Sequence, residues 1–205
     1  MKKADPNDSP YVAWIDLETT GNREDDSIIE VGFVLTDRDL NEVRSLSLVI
    51  VPHDWHFQRD RMTPVVVGMH EKNGLLSDIE LSVMHTPELR GPSGADHILS
   101  GILKSYGKGN HIPLAGSGVS HFDRKYIRRE MPKTDGLLSY WALDIGVMRR
   151  WLERWDIYPE AAKLQHSKTH RALDDIREHI AEAKTIRDHL QLNAEEAWRY
   201  NDLNR

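Results

Sequence analysis

Residues Tyr11 to Gly21 read YVAWIDLETTG. The first seven favour extended backbone and the stretch ends in a Thr-Thr-Gly turn, which predicts a strand over Tyr11–Leu17. Ala13, Ile15 and Leu17 alternate as core positions do, so this strand is expected at the centre of a sheet. Asp16 and Glu18 stand two apart at its end, and side chains two apart on a strand point the same way. Two carboxylates therefore project together from a rigid element. On a central strand such a doublet is costly unless a positive partner meets it.

Outward from this strand, Ser27–Thr36 (SIIEVGFVLT) and Leu46–Val51 read as a second and a third, and their short links suit an antiparallel meander. Thr63–Tyr106 has a helical pattern broken at Asn73-Gly74 and Gly91-Pro92. His111–Ala115 reads as a short buried strand, Asp123–Glu130 as a helix stopped by Met131-Pro132, and Ser139–Asp144 as a strand leading into a helix near Ile145–Trp155. Thr169–Leu190 is the longest helical signal, and Ala194–Tyr200 adds a last one. Three strands, then helix, strand, helix, strand, helix, predict an α/β fold: a mixed five-stranded sheet flanked by helices.

At 205 residues, with 39% hydrophobic and 29% charged side chains, the chain suits one domain with one sizeable core. We expect a disordered tail over residues 1–10, the domain over 11–190, and a C-terminal helix or tail over 191–205. No apolar run approaches the roughly 20 residues that span a membrane. There is no cysteine, so disulfides and thiolate metal sites are excluded, which fits a cytoplasmic address. The net charge of −6 argues against a protein that coats nucleic acid by charge alone. It leaves open a metallonuclease, in which bound cations reverse the local field.

Two further stretches carry chemistry. His170-Arg-Ala-Leu-Asp174-Asp175 opens the long helix, where acids also suit the helix dipole. Helical spacing alone pairs His170 with Asp174, four residues on, and does not choose between the two aspartates. Asp123, in SHFDRKY, follows the HIPLAGSG stretch, a strand running into a Gly-Ser loop. Its bland reading is a helix cap. Loops at the carboxyl ends of central strands are, however, where α/β sheets place their sites. The arginines and lysine at 124, 125, 128 and 129 suggest a local basic face, for which a solvated helix surface is the ordinary account.

Together, WIDLETTG, MHEKNGLL, PLAGSGVSHFDRKYI, YWALDIG and HRALDDIREHIAEAK resemble, in order and spacing, the oligoribonuclease family, over residues 11 to 190. The resemblance implies a ribonuclease H-like fold and a DEDDh exonuclease that shortens single-stranded RNA from its 3′ end. Asp16, Glu18, Asp123 and Asp175 would be its four acids and His170 its histidine, because the family's spacing selects Asp175. Hydrolysis of a phosphodiester needs a strong nucleophile and charge relief, which two hard cations about 3.5–4 Å apart supply. Mg²⁺ or Mn²⁺ suits an all-oxygen site. Asp16 would bridge the two ions, Glu18 and Asp175 would complete one position, and Asp123 would serve the other. His170 would take the proton of the attacking water, a role suited to an imidazole. The resemblance also implies a homodimer, His70 against the bases, and Tyr140 near the dimer junction. Trp141, Trp151 and Trp155 cluster close by in sequence.

The chain departs from the family where a polar cap grips the 5′ phosphate of a dinucleotide. The cap loop reads Gly116-Ser117-Gly118-Val119 and is one residue longer, leaving Ser117 as its hydroxyl. The cap's arginine position holds Trp141, and its later serine position holds Gly146. Asn22 replaces a leucine that wedges between bases. An indole cannot replace a guanidinium on a phosphate, though it can stack on a base. The rival readings are a DNA-directed exonuclease of proofreading type and a module that binds nucleic acid without cleaving it.

Overall fold

The computed structural model describes residues 9–85, 91–163 and 169–203. Residues 1–8 of the expected tail lie outside them. Ser9 leads into the first strand, its hydroxyl donating to Tyr11 O at 2.8 Å. The elements run β1 (Tyr11–Thr19), β2 (Ile28–Asp37), β3 (Glu42–Val49), α1 (Trp55–Arg61), α2 (Pro64–Lys72), α3 (Leu75–His85), α4 (Pro92–Gly107), β4 (Ile112–Gly116), α5 (Asp123–Glu130), α6 (Pro132–Asp135), β5 (Leu138–Asp144), α7 (Ile145–Arg154), α8 (Glu160–Lys163) and α9 (Ala172–Leu203). Strand order is β3-β2-β1-β4-β5. β1, β2 and β3 pair antiparallel, while β4 runs parallel to β1 and β5 parallel to β4. This is the mixed five-stranded sheet that the sequence order predicts, with β1 at its centre.

Alternation along β1 assigns its two faces. Ala13, Ile15 and Leu17 join Val31, Phe33 and Leu35 in the larger core, closed by Leu99 and Leu103 of α4 and by Tyr126 and Ile127 of α5. Trp14 points the other way and meets Val34, Ala115, and Ile176 and Ile180 of α9. Asp16 and Glu18 share the parity of Trp14, so they belong to the face that α9 covers. Near its site end, α9 lies almost on the backbone of β2. A Cβ on Gly32 would sit 2.6 Å from the carbonyl carbon of Ala172, so only glycine admits this approach. The β1–β2 register slips between Glu18 and Thr19, and Ile29 turns into a separate cluster with Trp55, Met62, Leu75, Leu76 and Ile79 of α1–α3. That cluster seats α1–α3 beside the carboxyl end of β1.

Several boundaries differ from expectation for identifiable reasons. β3 starts at Glu42, not Leu46, because it is an edge strand whose first residues are solvent-facing and charged. α1 shows no apolar period, since Trp55 and Gln58 are its buried residues. α6 and α8 are single turns of four residues. The expected break after Leu190 does not occur: α9 is one helix of 32 residues, with no Gly or Pro to stop it. Among the described residues no helix is long and apolar enough to cross a membrane.

Candidate active site

Three chain segments meet at the carboxyl end of β1. Asp16 lies opposite Gly32 and Glu18 opposite Glu30 in the β1–β2 register. Asp123 opens α5, and its Oδ1 accepts from Leu17 N at 3.0 Å, which fixes the carboxylate against β1. Asp175 sits in the first turn of α9. Glu18, His170 and Asp175 each offer a ligand atom, and these atoms all lie within 4.8 Å of one another. Asp174 is exposed, whereas Asp175 Oδ1 is buried with no hydrogen-bond partner among the described residues.

So many acids in one place disturb each other. Burial pushes Asp16 well above the usual carboxylate range, and Asp123, Glu18, Asp175 and Glu30 add to it. Glu18 is pushed up to about 9, first by burial and then by Asp175, Glu30 and Asp123, with Arg171 opposing. Burial raises Asp123 to about 7 against the backbone N–H groups that its carboxylate accepts. Asp175 rises to about 6 through burial and Glu178, with His170 pulling the other way. Without positive charge this cluster holds protons it would shed in water.

His70 lies at the end of α2 and is fully buried, its Nε2 3.3 Å from Thr19 O and 3.8 Å from Glu18 Oε2. It braces the end of β1 and presents no surface to a base. Burial lowers its pKa, and its Nδ1 has no partner among the described residues.

The other expected substrate-side residues are Tyr140, Trp141 and Ser117. Tyr140 and Trp141, on the edge strand β5, are 78% and 67% exposed and pack edge to face. Trp151 and Trp155 are also exposed and lie 5.1 Å apart between ring centroids. The loop after β4 folds onto Asp144, whose carboxylate accepts from Gly118 N at 3.0 Å, Ser120 N at 3.3 Å, Ser120 Oγ at 3.1 Å and Val147 N at 3.1 Å. Partial burial works to raise Asp144, but these donors hold it below the usual range. Ser117 Oγ lies 2.7 Å from where a Cβ on Gly146 would be, so a side chain at 146 would require this hydroxyl to turn away.

The basic run is not a free face. Arg124 is buried, paired with Asp135 at 3.0 Å and bonded to the carbonyls of Ser139 and Tyr140. Arg129 reaches the carbonyls of Glu24 and Asp26, and Lys125 lies over the rings of Phe122 and Tyr126. These cations tie α5 to its surroundings. Glu30, Asn73, Arg171 and Asp144 also shape the site, though no motif in the sequence marks them. An acid inside the apolar run SIIEVGFVLT was a signal for the first of them.

No family model matches the chain. It is 32% identical over 192 residues to the oligoribonuclease of Neisseria meningitidis serogroup C, covering 93% of this chain and 97% of that protein. The oligoribonuclease of Nocardia farcinica is 35% identical over 179 residues (86% of this chain, 79% of that one), and that of Photorhabdus laumondii is 33% identical over 191 (92% and 98%). Among solved structures, E. coli exonuclease I in complex with a dA16 oligonucleotide superposes with a TM-score of 0.59 at 17% identity, covering 87% of this chain and 41% of that one. The zinc-bound exonuclease I complex with single-stranded DNA gives 0.58 at 18%, covering 86% and 40%. The chain thus spans about two fifths of those structures, which share its fold, that of ribonuclease H-like nucleases. From its identity of 32–35% to these relatives over 79–98% of their length, the chain belongs to the oligoribonuclease family of 3′-to-5′ exoribonucleases.

Proposed function

We propose that the chain hydrolyses short single-stranded RNA from the 3′ end to nucleoside 5′-monophosphates, as a cytoplasmic enzyme whose catalytic unit spans residues 11–190. The observation that carries this reading is the meeting of Asp16, Glu18, Asp123 and Asp175 at one strand end, with burial raising all four and neighbouring acids adding to it. The donor set fits two hard divalent cations, Mg²⁺ or Mn²⁺. Its atoms are carboxylate oxygens, one of them, Asp175 Oδ1, is buried without a partner, and Glu18 and Asp175 are within reach of one ion. Such cations, when bound, neutralise the phosphate and acidify water. The protein's own part is to hold them through the four acids and to take the proton of the attacking water at His170. Asp123 is oriented for this by Leu17 N.

Substrate length is the point on which this chain should differ from its family. The loop donors Gly118 N and Ser120 N are already engaged by Asp144, and the two positions that would supply an arginine and a serine hold Trp141 and Gly146. Neither of those two positions offers a guanidinium or a hydroxyl to a 5′ phosphate. We expect kcat/KM for a 5′-phosphorylated RNA dinucleotide to stay within about tenfold of that for a 5′-phosphorylated heptamer, since one lost charge-assisted contact is worth about 1.5–3 kcal/mol. A strong dinucleotide preference that disappears with the 5′ phosphate would show that other residues form the cap. The same assay on matched DNA oligomers, with 5′ label and Mg²⁺, separates RNA from DNA as the substrate.

The exposed aromatic and aliphatic surface of β5 and α7 supports a homodimer. Tyr140, Trp141, Leu143, Val147, Met148 and Trp151 are all exposed in one protomer, and aromatic residues and methionine are enriched in interface cores. Light scattering at micromolar concentration should give twice the mass of one chain. A monomer would refute this assembly.

A further inference from the structure

His170 is held by a backbone arrangement that its role as a base does not itself require. Its φ is 51°, in the left-handed region that disfavours any residue with a Cβ. Two contacts from the α2–α3 junction keep it there. Asn73 caps the end of α2, and its side-chain amide donates to the carbonyl of His170, while its Oδ1 accepts from Leu75 N at 3.0 Å. The next residue, Arg171, reaches three elements at once. It donates to Glu30 on β2 from Nε at 3.1 Å and from Nη2 at 2.9 Å, to Asp78 on α3 from Nη1 at 2.9 Å, and to Asn73 O at 3.4 Å.

Glu30 completes the arrangement. It is almost fully buried, and its Oε2 accepts from Ala172 N at 3.1 Å, satisfying one of the free amides that open α9. Ser47 Oγ donates to its other oxygen at 2.9 Å. The carbonyl of Arg171 in turn accepts from the amides of Asp174 and Asp175, both at 3.0 Å. One arginine thus stands between the base and a carboxylate of the site, and its side chain fixes both to β2 and α3.

We propose that Arg171 and Asn73 are positioning residues for the catalytic histidine: with Glu30 and Asp78 they lock the left-handed turn at His170, and thereby tie the place of the imidazole to α2, the helix that carries His70. The proposal rests on the reading of His170 as the base. A fork of donors is needed to reach acceptors on separate elements, which a lysine ammonium at the end of a flexible stem does not provide. Arg171 also opposes the raised pKa of Glu18, so the neutral Asn73 is the residue whose removal reports on the place of His170 without changing charge at the site.

The test is a double-mutant cycle in the Mg²⁺-loaded full chain, with kcat and KM measured on a short RNA and folding checked by circular dichroism. Arg171→Ala should lower kcat by up to about 10²-fold, the scale of a misplacement near 1 Å, with KM changed less than about twofold. In a His170→Ala background the same substitution should lower the residual rate by less than about twofold, because there is no longer a base to misplace. Asn73→Ala, which leaves the Glu30 and Asp78 contacts intact, should show the same pattern with a smaller loss. If the arginine variant does not fold, the asparagine variant carries the test. Equal losses in both backgrounds, or an unchanged kcat in the folded single variants, would overturn the clamp while leaving the base in place. An unchanged kcat in His170→Ala itself would instead overturn the base reading, and the clamp with it.

Discussion

His170→Ala is expected to lower kcat by about 10²–10⁴-fold, the usual contribution of a positioned general base, while cation and substrate binding survive. Its imidazole lies with Glu18 and Asp175 in a group whose ligand atoms are all within 4.8 Å, close enough to serve a water held by those acids. Asp175→Asn should be as severe, because it removes charge from the same group. Asp174→Asn should stay within about threefold of wild type, since that side chain is exposed. Titration with Mn²⁺ distinguishes the two severe variants: the histidine variant keeps its affinity and the asparagine variant loses it. A worse outcome for Asp174→Asn than for Asp175→Asn would mean that the last acid of the site has been misassigned.

Chelation should abolish activity altogether, and Mg²⁺ or Mn²⁺ should restore it. The four acids cannot all ionise side by side without positive charge. Hydrolysis that continued undiminished in excess EDTA would end the two-cation account. The same crowding fixes a pH dependence of stability. Asp175, Asp123 and Glu18 have folded pKa values of about 6, about 7 and about 9, all raised above their unfolded values. Between about pH 4, where such acids ionise in the unfolded chain, and about pH 9, the folded protein therefore holds more protons than the unfolded one. Stability in EDTA is then greatest at the acid end of this window and is lost as pH rises through it. Melting curves in EDTA should show Tm falling from pH 5 to pH 9, and saturating Mg²⁺ should remove most of the slope.

Much of this was legible in the amino-acid sequence. The strand at Tyr11–Leu17 follows from an apolar run bounded by a turn, its central place from Ala13, Ile15 and Leu17 as core residues, and the common side of its two acids from their spacing of two. The spacing of the five motif residues, taken as a set, carried the family. What the sequence hid were features made by contacts between distant segments. Helical spacing left Asp174 and Asp175 open and the family resemblance alone chose Asp175, because the choice depends on how α9 is rotated over Gly32, which no local pattern encodes. His70 sits in a motif that suggests contact with bases, but the slip at Glu18/Thr19 and the packing of α1–α3 bury it under the end of β1. The basic run at 124–129 looks like a surface until the carbonyls of β5 and of the loop after β1 are brought to it. Edge strand β3 and the single-turn helices were missed in whole or part because exposed or very short elements carry little periodic hydrophobicity.

The contact of Gly32 with the start of α9 also says when this enzyme can first act. Asp16, Glu18 and Asp123 all precede His170 and Asp175 in synthesis, and these last two belong to the later segment that seals the sheet's second face. Contacts between segments so far apart form late, after the loop between them has closed. A nascent or truncated chain lacking α9 would carry three of the acids and no nuclease. Cleavage by a protease before Ala172 would likewise silence the enzyme without touching β1, because it parts Asp175 from His170 and from the three acids that precede it.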